Sequence, residues 1–144
     1  MYVARDELAA FDVLSQEAKS RIILAKVRSL IVNDREILRE LGSKIPPLYE
    51  SGVVYRFQPA TDDWQDILRA LQTGGASCNS LTAWRCAELQ LCGENAQPFI
   101  RSRSTRRPNG ALFDIFHVIL KRPYPPPYDW EDPSVTLGMP PGGE

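Results

Sequence analysis

The sequence lacks several features that would define a function class at once. Its 144 residues hold one histidine and three cysteines, with no Cys-x-x-Cys pair and no histidine cluster beside them. That arrangement excludes the common zinc motifs, and an odd number of cysteines indicates free thiols in a reducing compartment. We therefore expect neither a metal nor a cofactor.

Charge of one sign and long apolar runs are also missing. Seventeen basic and eighteen acidic residues give a net charge of -1, which argues against nucleic acid as a partner because a global basic field is absent. The longest aliphatic run, residues 22–25, is far below the ~20 apolar residues of a membrane span. The acidic start, residues 1–7, does not resemble a secretory signal. These absences predict a cytoplasmic protein without a membrane partner.

Hydrophobic periodicity predicts helices in the first half of the chain. Apolar residues recur at steps of three to five over residues 6–31, typical of one long amphipathic helix or two. Asp34 is predicted to cap a second, short helix that ends at Gly42, and Thr61 or Asp62 a third. The third must stop at the glycine pair of residues 74–75.

A further helix is predicted immediately after that pair, and the period then changes. Cys78 opens this helix in the first turn and Gly93 ends it. Residues 99–105 alternate, residues 107–110 favour a turn, and residues 111–121 are rich in β-formers. Residues 128–132 are predicted as a third strand. The order of helices followed by a small antiparallel sheet is an α+β layout.

Three residues form a candidate catalytic set. Cys78 is predicted at a helix start, where backbone amides favour thiolate, while Cys86 and Cys92 lie farther along and are interpreted as packing residues. His117, the single histidine, is the base if there is one. Asp132, on the strand expected beside it, can orient the imidazole. An alternative acid is Asp114.

These pieces resemble a known superfamily. A glycine-led cysteine opening a helix, then a histidine in Phe-His-Val-Ile-Leu, then Trp130-Glu131-Asp132-Pro133-Ser134, resemble the transglutaminase-like, papain-related cysteine enzymes. The resemblance covers residues 64–139. The segments at residues 45–53 and 132–139 more narrowly resemble small transglutaminase-like proteins of bacteriophages and prophages.

The resemblance implies a division of the chain and a chemistry. Residues 45–139 would form the transglutaminase-like domain with a papain-like core, residues 1–44 a helical segment packed on it, and residues 140–144 a flexible tail. Cys78, His117 and Asp132 would transfer or hydrolyse an acyl group of a protein or peptide substrate. The alternative is a non-catalytic structural component of a phage particle. Other phage structural proteins would be partners, in the host cytoplasm or the virion.

One departure from the superfamily pattern concerns the cysteine. Relatives commonly carry Gly-Asp-Cys followed by acidic residues, whereas this chain has Ala76-Ser77-Cys78-Asn79-Ser80. Fewer carboxylates near the thiol should favour thiolate. The oxyanion donor besides the Cys78 amide is left open between Gln65 and Gln72.

Two other groups of residues have an ordinary structural interpretation. The four arginines of the predicted hairpin could bind the phosphates of a nucleic acid, and an acidic partner or a carboxylate substrate is at least as well supported as that. A solvated hairpin face is the stronger interpretation of the four. They are Arg101, Arg103, Arg106 and Arg107. Trp84 is expected in the core, and Trp130 could shield the site from water.

Overall fold

The computed structural model describes residues 14–57, 64–106, 108–122 and 129–140. Within these ranges, the helices are α1 (Gln16–Leu41), α2 (Ile67–Thr73), α3 (Cys78–Leu91) and α4 (Pro133–Thr136). The strands of the same ranges are β1 (Val54–Tyr55), β2 (Gly75–Ala76), β3 (Gln97–Arg106), β4 (Leu112–Arg122) and β5 (Asp129–Glu131). Short 3-10 turns occupy Gly42–Lys44 and Leu48–Glu50. A long helix thus precedes a small antiparallel sheet, and the α+β prediction is confirmed.

Helix α1 is one uninterrupted element. Ser15 caps it by accepting a hydrogen bond from the Ala18 amide at 3.1 Å, and Gly42 ends it with φ 51°. The predicted second helix capped by Asp34 is wrong, because the apolar face continues through this position and Asp34 lies buried inside α1. The start of the predicted first helix, residues 6–13, lies outside the described residues.

Asp34 instead connects α1 to α2. Its Oδ1 accepts a hydrogen bond from the Ile67 amide at 3.0 Å, at the first turn of α2. Asp66 is the residue that caps α2, accepting from the Arg69 amide at 2.8 Å. Thr61 and Asp62, the predicted caps, lie outside the described residues. Because amides at a helix start lack intrahelical partners, two carboxylates serve this one terminus.

The residues that lead into α3 are held in a short strand. Gly74 ends α2 in the left-handed region at φ 74°, as the sequence predicts. Gly75 and Ala76 then pair in parallel with Val54 and Tyr55. This two-stranded ladder, which the sequence pattern did not indicate, fixes the backbone one residue before the helix that begins at Cys78.

The larger sheet has the order β3-β4-β5, with both pairings antiparallel. Its register places Arg101 opposite His117 and Trp130 opposite Lys121. Because side chains alternate along strands, directly opposed residues lie on the same face of the sheet. The predicted hairpin and third strand are confirmed, but β5 ends at Glu131. Asp132 was expected within the strand and instead caps α4.

Helix α3 lies at the centre of the packing. One apolar cluster joins it to α1 and β4, and a second joins it to α2 and to the segment around Leu48. Trp84 is 1% exposed in the second cluster, which confirms its assignment to the core. Within the described ranges, no helix combines the length and the apolar character needed to cross a membrane. Most of the predicted tail, residues 141–144, lies outside these ranges.

Candidate active site

Cys78 is the first residue of α3 and is completely buried. Ser77 precedes it in extended conformation, so the Cys78 thiol lies beside the first, unpaired amides of a 14-residue helix. The partial positive charge of such amides favours a thiolate over a thiol. The sequence prediction of a cysteine at a helix start is therefore correct in its geometry.

The polar residues around Cys78 hydrogen-bond to one another inside the protein. Asn79 Oδ1 accepts from the Ser77 hydroxyl and from the Ser80 backbone amide. Ser80 Oγ in turn accepts from the Gln65 backbone amide at 2.9 Å. Ser77, Asn79 and Ser80 are at most 2% exposed. Acidic residues at these positions would be desolvated next to a forming thiolate. This packing gives a physical reason for neutral residues at these three positions.

His117 lies on β4 with its ring directed to Asp132. Its Nε2 is 2.8 Å from Asp132 Oδ2, and the two side chains are 12% and 24% exposed. The second carboxylate oxygen accepts from the Ser134 amide at 3.1 Å and the Val135 amide at 3.4 Å. Asp132 is thus held by the start of α4 while it holds the imidazole. Such an arrangement fixes the ring orientation and supports a positive charge on it.

The electrostatic influences on Cys78, His117 and Asp132 favour the charged form of each. Burial opposes a charge on His117, but the hydrogen bonds with Asp132 and Cys78 raise its pKa from 6.5 to about 9. Burial also opposes the Cys78 thiolate, whereas the hydrogen bond and positive charge of His117 favour it. The pKa of Asp132 is lowered, against burial, by the same imidazole. Since Asp132 takes Nε2, the buried Nδ1 is the nitrogen that remains for the thiol.

The alternative site residues occupy other environments. Asp114, the other candidate acid, pairs with Lys19 at 2.8 Å and accepts from the Ser104 hydroxyl at 2.8 Å. Cys86 is buried within α3, and burial together with the charge of Glu131 raises the pKa of its thiol. Cys92 is exposed at the end of α3. Its expected packing role is wrong, because α3 stops there and the side chain faces solvent.

Neither glutamine suggested as an oxyanion donor is free for that role in this structure. Gln65 is buried, and its Nε2 donates to Thr73 Oγ1 at 2.8 Å. Gln72 lies on the exposed face of α2. Of the groups considered, the backbone amide of Cys78 remains the donor next to the thiol.

Glu131 anchors the strand that delivers Asp132, and the sequence interpretation missed it. Its carboxylate accepts from Arg85 Nε at 2.6 Å, from Arg122 Nη1 at 2.9 Å and from the Tyr49 hydroxyl. Arg85 also pairs with Glu88 at 3.1 Å. These contacts lower the pKa of Glu131 despite its burial. Strand alternation was the available signal, because it places Glu131 on the face opposite Trp130, toward α3.

A cleft of about 310 Å³ opens on the imidazole. Its lining combines residues of β3 and β4 with residues of the segment that follows β5: Arg101, Ser102, Arg103, Ile115, His117, Asp132, Val135 and Met139. Trp130, suggested as a shield for the site, is 43% exposed and contacts Phe99 edge-on at 5.0 Å between ring centroids. Shielding comes instead from the buried position of Cys78 behind the cleft.

No protein-family model, curated protein or solved structure matches this chain. Among the residues that the structure describes, no group of three His, Cys, Asp or Glu side chains is placed to hold a metal ion. The chemistry available to this site is that of the side chains of Cys78, His117 and Asp132.

Proposed function

We propose that the chain is a transglutaminase-like, papain-related cysteine enzyme of the phage type, which transfers or hydrolyses acyl groups of a protein or peptide. The observation that carries the proposal is the placement of His117. Its Nε2 lies 2.8 Å from Asp132 while its ring interacts with the thiol at the start of α3. A cysteine, a histidine and an orienting acid, in that order, are the parts that thiol-dependent acyl transfer needs.

The reaction follows from the positions of these groups. His117 takes the proton of the Cys78 thiol, and the thiolate attacks the substrate carbonyl carbon to form a tetrahedral oxyanion beside the Cys78 amide. The imidazolium then protonates the leaving amine as the carbon–nitrogen bond breaks, which leaves a thioester on Cys78. Water or a lysine amine, deprotonated by His117, attacks the thioester and regenerates the thiol. Asp132 keeps its proton-free carboxylate on Nε2 throughout.

The complete burial of Cys78 adds a requirement to this mechanism. The cleft reaches His117 and Asp132 but does not include the thiol among its lining residues. A substrate carbonyl can approach the sulfur only if the protein opens between the cleft and α3. Opening of this kind is common in enzymes whose sites exclude water before reaction.

The same burial favours a second candidate function. A thiol that no reagent reaches would suit a structural component of a phage particle that retains the fold and uses it for docking. Folds do persist after their chemistry is lost. Under this alternative, residues 1–44 and the proline-rich end of the chain would contact neighbouring phage proteins.

Selective alkylation separates the two candidates. We expect iodoacetamide at low concentration and pH 7 to modify Cys78 before the exposed Cys92, because a thiolate reacts and an ordinary thiol does not. Peptide mapping by mass spectrometry identifies the modified residue. Cys78→Ala and His117→Ala should each abolish the fast phase, while the matched control Cys86→Ala should leave it. Modification of Cys92 alone would support the structural component.

Turnover provides the second part of the test. A casein-type protein substrate, with and without a primary amine such as putrescine, distinguishes cleavage from amine incorporation. Cys78→Ala and His117→Ala should each lose most activity, and the double variant should lose little more, because residues that act as one unit are not additive. Additive losses would contradict a shared mechanism.

A further inference from the structure

The cleft beside His117 carries an unusual concentration of positive charge. Arg101 lies directly opposite His117 on the neighbouring strand, and Arg103 lies opposite Ile115. Directly opposed side chains share a face, with Cβ atoms about 5 Å apart. Both guanidinium groups therefore border the space that leads to the imidazole.

Little negative charge lies beside Arg101 among the described residues of the cleft. Among the described residues that line it, Asp132 is the one carboxylate, and its two oxygens are already engaged by His117 and by the amides of Ser134 and Val135. No carboxylate of the described chain forms an ion pair with Arg101, whose guanidinium carbon lies 5.9 Å from the centroid of the Trp130 ring. The ring face can hold the arginine plane while its donors remain directed outward.

Apart from Ser102, the other described residues of the lining are apolar. Ile115 forms part of the cleft together with Val135 and Met139 on the side of α4. Apolar walls lower the local dielectric constant, which strengthens an ionic interaction at the arginines relative to the open surface. A guanidinium fork in such a setting matches a carboxylate in a bidentate manner.

We infer that this cleft selects a peptide with an acidic side chain close to the bond that Cys78 attacks. This inference rests on the proposed function in treating the bound peptide as a substrate. Binding of the peptide itself does not depend on catalysis. Arg101 is the principal specificity residue, because it lies opposite His117, and Arg103 extends the positive surface by two residues. The sequence favours a solvated face for the hairpin arginines, whereas the structure places Arg101 and Arg103 in the cleft lining and Arg106 at the Gly110 carbonyl. Arg107 lies outside the described residues.

Equilibrium binding tests the inference without chemistry. The full-length Cys78→Ala protein is titrated by NMR with three N-acetylated tripeptides: acetyl-Gly-Glu-Gly-amide, acetyl-Gly-Gln-Gly-amide and acetyl-Gly-Gln-Gly with a free carboxyl end. We expect the glutamate peptide to bind about tenfold more tightly than the neutral one, as a charge-assisted hydrogen bond predicts. Stronger binding of the free-carboxyl peptide would assign the cleft to a chain terminus and overturn the preference for an acidic side chain.

Variants on a single strand locate the effect. In the Cys78→Ala background, Arg101→Gln should remove the tenfold preference and Arg101→Lys should retain part of it. The matched control Arg106→Gln lies on the same strand outside the cleft lining, where Arg106 donates to the Gly110 carbonyl, and should change nothing. The His117 ring signal reports that each variant keeps its fold. A preference that survives Arg101→Gln, or tighter competition by inorganic phosphate than by the glutamate peptide, would overturn the inference.

A reaction-based arm separates this inference from the proposed function. Iodoacetate and iodoacetamide both alkylate a thiolate with loss of iodide. They differ in that iodoacetate carries a carboxylate and iodoacetamide a neutral amide. The rate with iodoacetate divided by the rate with iodoacetamide is measured at Cys78 and at Cys92 of the same chain. The ratio at Cys78 should exceed the ratio at Cys92, and in Arg101→Gln the two ratios should become nearly equal. Fast alkylation of Cys78 with an unchanged ratio would leave the enzyme proposal standing and refute the acidic preference. Selective peptide binding without thiol reactivity would leave the acidic preference standing and refute the enzyme proposal.

Discussion

At the scale of single residues, the site depends on how one imidazole is shared. His117 gives Nε2 to Asp132 and leaves Nδ1 for the thiol. Each partner raises the pKa of His117, and together they bring it to about 9 against the effect of burial. The proton shared by thiol and imidazole therefore favours the imidazole. An ion pair that exists before substrate arrives is a prepared nucleophile.

Asp132→Asn tests the contribution of the acid. The amide keeps the shape of the side chain but removes its negative charge, so the pKa of His117 should fall from about 9 toward its ordinary value of 6.5. Proton NMR measures this directly, because the chain has a single histidine. Asp114→Asn is the matched control, since Asp114 binds Lys19 and not His117. An unchanged pKa in Asp132→Asn would contradict the assigned role.

The raised pKa of His117 also has a consequence for stability. The folded value of about 9 lies above the unfolded value of 6.5, so the folded state binds the proton more tightly. The resulting stabilisation is fully present below about pH 6.5 and is lost as the pH rises through 9. The melting temperature of the original protein should therefore decline between these pH values. The melting temperature of His117→Gln should lack this decline. A parallel pH dependence of the two proteins would contradict the assignment.

At the scale of elements, β5 brings Asp132 to His117, and α3 brings Cys78. Strand β5 has three residues and, among the described strands, pairs with β4 alone. These are too few backbone contacts to place a carboxylate firmly. Glu131 supplies the missing support by accepting hydrogen bonds from Arg85 on α3 and Arg122 on β4. The helix that begins with Cys78 and the strand that ends before Asp132 are thus joined through one carboxylate.

Glu131→Gln tests this connection. The substitution removes one of the two carboxylates that pair with each arginine, since Arg85 keeps Glu88 and Arg122 keeps Glu94. We expect a loss of about 2 kcal/mol in the free energy of unfolding. A positioning role further predicts that the pKa of His117 moves back toward 6.5 in the folded variant, because Asp132 is held less firmly. The control Glu17→Gln removes an exposed pair with Arg21 and should change stability by no more than about 1 kcal/mol. A destabilised Glu131→Gln protein with an unshifted histidine would limit Glu131 to stability.

Asp34 provides a second test at this scale, at the contact between α1 and α2. Burial, together with the nearby charge of Asp66, raises its pKa to about 8, although the Ile67 amide lowers it. The folded state therefore retains the proton, and stability is fully present below the unfolded pKa of 3.8 and declines as the pH rises to about 8. Asp34→Asn keeps an oxygen for Ile67 and stays neutral, so its melting temperature should decline less over this range. Glu40→Gln on the exposed side of α1 should follow the unmodified protein, and a decline in Asp34→Asn as steep as in that protein would refute this explanation.

At the scale of the whole molecule, local patterns predicted more than long-range packing. The hairpin, the helix start at Cys78 and the glycine stops at Gly42 and Gly74 follow from periodicity and turn chemistry. The uninterrupted α1 did not follow from the sequence pattern, because Asp34 resembles the cap of a second helix. In the structure Asp34 accepts from the Ile67 amide at the start of α2. The β1–β2 ladder was also missed, since two-residue strands leave no periodic signal.

The candidate site shows the same division. Cys78, His117 and Asp132 could be named from residue type, local pattern and family resemblance, and the contact between His117 and Asp132 follows from strand order. The complete burial of the thiol, the anchoring of β5 by Glu131 and the arginine-lined cleft depend on side chains from distant parts of the chain. Such contacts are set by tertiary packing, which a single sequence does not display.

The rate of Cys78 alkylation as a function of pH tests the central claim most directly. If the thiol and His117 form an ion pair, the rate of iodoacetamide modification at Cys78 should stay high below pH 8, where the rate of a blocked cysteine peptide falls with ordinary thiol ionisation. In His117→Ala the Cys78 profile should move upward by about one pH unit or more. A Cys78 profile that matches the peptide and ignores His117→Ala would contradict the account.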